Sequence, residues 1–204
     1  MSPAFLAEGA CLGSALAWSV SLNFFRPPIL DYGARAVNLA KCCMASVLLG
    51  LAALVVGQGP LLLAASPRSL GILALSGFLG MALGDTALFA AVQTLGVYRA
   101  FLLQSMAPVF AAVMAAVFYG ERLHPQQGLG ALLIFAGVVL VIVLQRRQPA
   151  ALLTGGWDGR GIALGLVAAL GQGVGIVLSK DGMAEIPFQA ASFVRLLAAA
   201  LGLM

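Results

Sequence analysis

The chain alternates long apolar runs with short polar breaks. The runs cover residues 9–25, 36–56, 70–92, 98–119, 126–144, 162–178 and 187–204. Each is near the roughly 20 residues that a helix rising 1.5 Å per residue needs to cross about 30 Å of hydrocarbon. The breaks carry residues that end or start helices. Arg26-Pro27-Pro28 is expected to stop the first run, and Gly57-Gln58-Gly59-Pro60 and Ser66-Pro67-Arg68 punctuate the loop before the third. Pro125, at the end of Gly120-Glu121-Arg122-Leu123-His124-Pro125, is placed to open the fifth helix. The pattern predicts an all-α, polytopic membrane protein with seven transmembrane helices.

The longest break, around QRRQPAALLTGGWDGRG, suggests a division into a five-helix unit (1–145), a linker (146–160) and two further helices (161–204). Sliding the N-terminal part by 154 positions lays Arg26 on Lys180, Asp31 on Glu185 and Lys41 on Arg195. Apolar positions agree as well, including Ala15 with Ala169, Leu16 with Leu170, Val20 with Val174 and Ala45 with Ala199. Such self-similarity indicates an internal repeat. A unit of five spans returns the chain to the membrane from the opposite side, so the repeat is expected to be inverted, with any substrate site between the halves near the midplane.

Composition agrees with this picture. The chain is 62% hydrophobic and 9% charged, against roughly 25% charged for a soluble domain. A formal net charge of +4 then reads as a topology signal rather than affinity for nucleic acid. The start could pass for a secretory signal, with Ala15-Leu16-Ala17 as a cleavage-like site. It lacks Lys and Arg before the apolar run and carries Glu8, so it reads as an uncleaved first span. Cys11, Cys42 and Cys43 fall inside apolar runs with no metal-binding spacing, and are expected to be small packing residues. No catalytic constellation, phosphate loop, metal site or cofactor motif is found, and His124 sits in a charged reversal.

Candidate chemistry therefore rests on polar residues inside the bilayer, where a charge costs at least about 2.5–3.5 kcal/mol at the centre. Asp85 lies deep in the third run, and its short side chain cannot reach the headgroups. It must face protein, water or a basic partner, or be protonated. Lys41 and Arg195 lie within the second and seventh runs and could snorkel. In the fourth run Pro108 cannot donate to the carbonyl of residue 104, and Gln104 adds an amide to the same turn, making a polar notch. Asp85, Gln104, Pro108, Lys41, Arg195 and Trp18 are the candidate substrate-path residues, with Asn23 and Gln172 weaker. Gly77, Gly80 and Gly84 on one face, and Gly161 with Gly165, are expected to be close helix contacts.

Several separate elements carry a family resemblance: Gly84-Asp85, Gly96-Val97-Tyr98-Arg99-Ala100, Pro108-Val109-Phe110, Gly120-Glu121-Arg122-Leu123 and the later Gly128, Gly130 and Gly137. Together they resemble the EamA domain of the drug/metabolite transporter superfamily, well over residues 10–144 and more loosely over 161–204. The resemblance implies a ten-helix carrier of two inverted five-helix halves around a central cavity. It further implies a non-enzymatic, cofactor-free secondary transporter in the bacterial cytoplasmic membrane, exporting small metabolites or drugs. Coupling to protons and a homodimer are compatible with it. A non-transporting scaffold or assembly subunit built from a carrier-like half is the alternative. Lys41 stands where the family more usually has arginine, and three further spans are expected beyond Met204.

Orientation is where two signals oppose each other. The resemblance implies a cytoplasmic N-terminus, yet Arg68, Arg122 and Lys180 on that side are outnumbered by Arg26, Arg35, Arg99, Arg146, Arg147 and Arg160 opposite. The family orientation is retained as the expectation.

Overall fold

A computed structural model describes residues 3–120, 124–146 and 157–204. Glu121–Leu123 of the expected reversal and 147–156 of the expected linker lie outside the described residues. The described chain is helical, with no strand among the described residues. Its helices are α1 (Pro3–Tyr32), α2 (Ala34–Val55), α3 (Gly59–Leu63), α4 (Pro67–Gly77), α5 (Asp85–Leu95), α6 (Val97–Gln104), α7 (Ala107–Tyr119), α8 (Pro125–Arg146), α9 (Gly159–Gly182) and α10 (Phe188–Leu203). A π-helical segment, Phe78–Gly84, joins α4 to α5, so one continuous span runs from Pro67 to Leu95.

Five segments of the described residues are long and apolar enough to cross a membrane: Ala34–Val55, Pro67–Leu95, Val97–Tyr119, Pro125–Leu144 and Gly159–Gly182. Phe188–Leu203 is a shorter apolar helix.

Local chemistry explains most of the ends. Ser66 caps α4 by accepting from the Ser69 N–H at 3.2 Å, with Pro67 behind it in the first turn. Gly120 ends α7 in the left-handed conformation at φ 63°, where a side chain would be strained. Asp158 caps α9 through the Gly161 N–H. α6 and α7 are separated at Ser105–Met106, just ahead of Pro108.

The first helix departs from expectation. It does not stop at Arg26-Pro27-Pro28 but continues through both prolines to Tyr32. Interior proline costs roughly 3 kcal/mol, so tertiary contacts must hold this last turn. Ile29 is fully buried with Leu88 and Phe89, and its carbonyl accepts from Gln93 Nε2 at 2.8 Å and from the Gly33 N–H.

The centre of the bundle is α9, which packs on α4, the π-helical segment, α5, α6 and α7. Small residues make this possible. A Cβ on Gly175 would lie 2.9 Å from the Gly80 Cα, and one on Gly171 would lie 2.9 Å from the Leu79 carbonyl. One on Gly173 would lie 2.8 Å from the Ala111 nitrogen. Gly161 and Gly165 seat Leu95 and Leu103 in the same way, and a Cβ on Gly77 would overlap the Arg195 backbone of α10. Ser76 adds a buried bond, donating to the Gly175 carbonyl at 2.7 Å. In lipid, where apolar surface gains nothing by leaving solvent, such backbone-to-backbone approach is the main source of association. α10 lies along α2 and also touches α4, and Arg35 at the start of α2 donates to the Leu203 carbonyl at 2.9 Å.

The glycine contacts make a sharp prediction. Gly77→Ala and Gly175→Ala should lower the unfolding temperature in detergent markedly, because backbone blocks the added methyl. Gly137→Ala meets nothing within 4 Å and should be neutral or gain up to about 1 kcal/mol from helix propensity. Equal behaviour of all three in a thermal-shift assay would disprove this account.

Candidate functional site

Asp85 is the first residue of α5, directly after the π-helical segment. Such wide turns displace the following helix face and occur often at functional sites. Here the segment is held from outside. Asn38 of α2, fully buried, donates through Nδ2 to the Met81 carbonyl at 2.8 Å and to the Thr86 hydroxyl at 2.9 Å. Its own Oδ1 lies 3.6 Å from the Cys42 thiol. One side chain thus satisfies a carbonyl of the irregular turn and fixes α2 against it, which a buried polar group must do to be tolerated.

The Asp85 carboxylate, 7% exposed, forms an ion pair with the Lys41 ammonium of α2. That ammonium also lies 5.3 Å from the centre of the Phe89 ring on α5, a favourable position for a cation. From α10, Arg195 brings a second cation into the field of the same carboxylate. Its guanidinium lies near Gly80, and its Nε is buried with no hydrogen-bond partner among the described residues. The α2 ammonium is thus paired with the α5 carboxylate, and the α10 guanidinium lies beside the π-helical segment that precedes it. The Lys41–Asp85 pair shows that Asp85 faces protein, as its cost in lipid requires.

The other candidates lie apart from this cluster. Gln104 ends α6 with a buried Oε1 that has no donor among the described residues, a polar notch where the sequence places one. Pro108 is exposed in the first turn of α7 and lines a cleft of about 300 Å³ with Gln127, Gly130 and Ile134 of α8. Trp18, half exposed on α1, lines a third region of about 510 Å³ with Asn23, Tyr98 and Ser105. Lys41 borders a cleft of about 530 Å³ between α1 and α2, whose walls are almost wholly apolar. Lys41 and Asp85 are thus brought together, with Arg195 beside the adjoining π-helical segment, while Trp18 and Pro108 line separate clefts.

Two features escaped the sequence. Asn38 could have been found by the cost argument applied to Asp85, since an amide in an apolar span needs partners. Arg99 was counted as a loop charge, but it is 5% exposed and lies 5.4 Å from the Trp157 ring. Cys42 is fully buried and Cys43 half-buried, both free thiols. At the membrane boundary Glu185 accepts from the hydroxyls of Ser66 and Ser69 at 3.0 and 3.1 Å. These bonds hold its carboxyl below the usual glutamate range. Among the described residues no group of His, Cys, Asp and Glu could hold a metal.

The buried pair should be strongly non-additive. Removing one partner of a buried ion pair costs about 3–5 kcal/mol, because the other charge is stranded. Lys41→Met and Asp85→Asn should each destabilise the purified protein, and the double variant should recover much of the loss. A double-mutant cycle by thermal unfolding in detergent measures the coupling; additive losses would remove the pair from any structural role.

Comparison with known proteins places the fold. The EamA-like transporter family matches over residues 5–143. The chain is 30% identical over 131 residues to the "Probable terminal-alkyne amino-acid exporter" of Streptantibioticus cattleyicolor, a match that covers 64% of the chain and 42% of that relative. The match thus spans less than half the length of this relative. The matched region contains α2, the π-helical segment with Asp85, and the broken α6–α7 span. This integral membrane chain belongs to the EamA-like transporter family.

Proposed function

We propose that the chain is part of a secondary transporter that exports small metabolites or drugs across a bacterial cytoplasmic membrane. Residues 1–145 are read as one five-helix repeat, 146–160 as a linker and 161–204 as the start of an inverted second repeat with seven spans in all. The observation that carries the reading is the Lys41–Asp85 ion pair, with the Arg195 guanidinium beside Gly80 of the π-helical segment that precedes Asp85. These two cations are the residues that the 154-position shift superposes, and α2 and α10 begin at residues 34 and 188, the same shift apart. The two helices also pack on each other. A charge cluster built from both repeats lies where a change in one half can be felt by the other.

On this reading the substrate path runs past the third and fourth spans, at Asp85 and Gln104, with Pro108 permitting α6 and α7 to bend. Lys41, Arg195 and Trp18 border it. Asp85 holds a cationic group or a proton, and its charge state is coupled to the open side. The relative's printed role supports export, and a compound bearing an amino group is one chemistry Asp85 would suit. The N-terminus is placed in the cytoplasm. The paired state of Asp85 favours a second reading, in which the cluster only holds a non-transporting scaffold together.

Efflux from vesicles carrying the full-length protein, screened over amino acids and cationic drugs with and without a proton gradient, separates these. Asp85→Asn should abolish the dependence of efflux on the gradient per folded molecule. An unchanged pH profile in folded Asp85→Asn protein would leave the carboxylate as a structural partner alone.

A further inference from the structure

Asp85 and Phe89 stand four positions apart in α5, so their side chains leave the same face of the helix. Both meet the same group. The Lys41 ammonium is paired with the carboxylate. It also lies 5.3 Å from the centre of the Phe89 ring, inside the roughly 6 Å at which a ring face attracts a cation. Phe89 is fully buried, and Phe25 of α1 backs its ring, with centroids 5.6 Å apart and planes tilted by 38°.

The rest of the surroundings offer the ammonium little. Among the described residues Asp85 is the hydrogen-bond acceptor that Lys41 has, and the Lys41 side chain is only 14% exposed. The cleft that it borders has almost wholly apolar walls. On the transport reading above, Asp85 takes up a proton or a cationic group of the cargo. Either event withdraws the partner of a buried ammonium and would strand its charge. The Phe89 face is an electron-rich surface already within reach, and its pull on a cation grows as the cation is desolvated.

We infer that Phe89 is a second station for the Lys41 ammonium, holding the charge in place while Asp85 is neutralised or occupied. Phe89 is then a positioning residue that acts through Lys41. Its role in turnover rests on the transport reading, whereas the hold of the ring on the ammonium does not. Position 89 therefore requires the electron-rich face of a ring, and an apolar filler of equal size would not serve.

The test places phenylalanines with one, two, three or five ring fluorines at position 89 of the purified protein. Fluorine draws electrons from the ring face and changes its size little. Thermal unfolding in detergent is followed in the wild type, Lys41→Met, Lys41→Arg and Asp85→Asn, the last standing in for the neutral carboxyl. Relative to Lys41→Met, which corrects for packing, each added fluorine should lower the unfolding temperature of the wild type. Lys41→Arg keeps a cation and should keep this slope. In Asp85→Asn, where the ring is the partner that remains, the slope should steepen about twofold.

A spectroscopic reading accompanies it. Lys41 and Lys180 are the two lysines of the chain, so side-chain-labelled lysine reports on Lys41 by NMR, with Lys180→Arg giving the assignment. The Lys41 side-chain protons should be shifted upfield by the ring in the wild type and further in Asp85→Asn, and the shift should vanish in Phe89→Leu.

Equal slopes in the wild type and Lys41→Met would reduce Phe89 to packing and overturn the inference, even if Asp85→Asn fails to fold. Loss of the upfield shift in folded Asp85→Asn would show the ammonium leaving the ring, and would overturn it as well. No cargo or gradient enters either measurement. Their failure leaves the efflux result standing, and an absence of efflux leaves the ring's hold on the ammonium standing.

Discussion

The structure depends on how closely α9 can approach the third span. Both sides of that contact are glycine: Gly171 and Gly175 on one, Gly80 and Gly84 on the other, while Gly173 faces Ala111 of α7. Water cannot drive apolar helices together inside a bilayer, so contact area and hydrogen bonds must do so. Once backbones touch, the Ser76 hydroxyl reaches the Gly175 carbonyl, and every other helix is placed relative to this pair.

The same closeness accommodates the polar cluster. The π-helical segment lies within the glycine-rich stretch, where side chains do not resist the wider turn, and Asn38 bonds its Met81 carbonyl. That delivers Asp85 to Lys41 rather than to lipid. Either charge placed there without the other would be stranded.

The periphery obeys a different rule. α8 is exposed along most of its length and packs on α7, and Gly128, Gly130 and Gly137 have nothing within 4 Å. Glycines of identical type thus serve as contacts in α9 and are open in α8. α1 shows the reverse economy: a helix end that proline should terminate is retained because Ile29 is buried beneath it.

What the sequence determined by itself was set by the solvent. Run lengths near 20 residues in a chain with 9% charge leave helices as the form that satisfies every backbone group in hydrocarbon, so an all-helical membrane chain and the cost of Asp85 were legible. Three matters were decided only in three dimensions: which cation holds Asp85, whether Pro27-Pro28 ends α1, and whether Arg99 belongs to a loop or to the interior under Trp157. Each turns on a partner from a distant part of the chain, and local pattern carries no information about the distance between two helices. The π-helical turn belongs with them, because its carbonyls become tolerable only when Asn38, more than forty positions earlier, is packed against them.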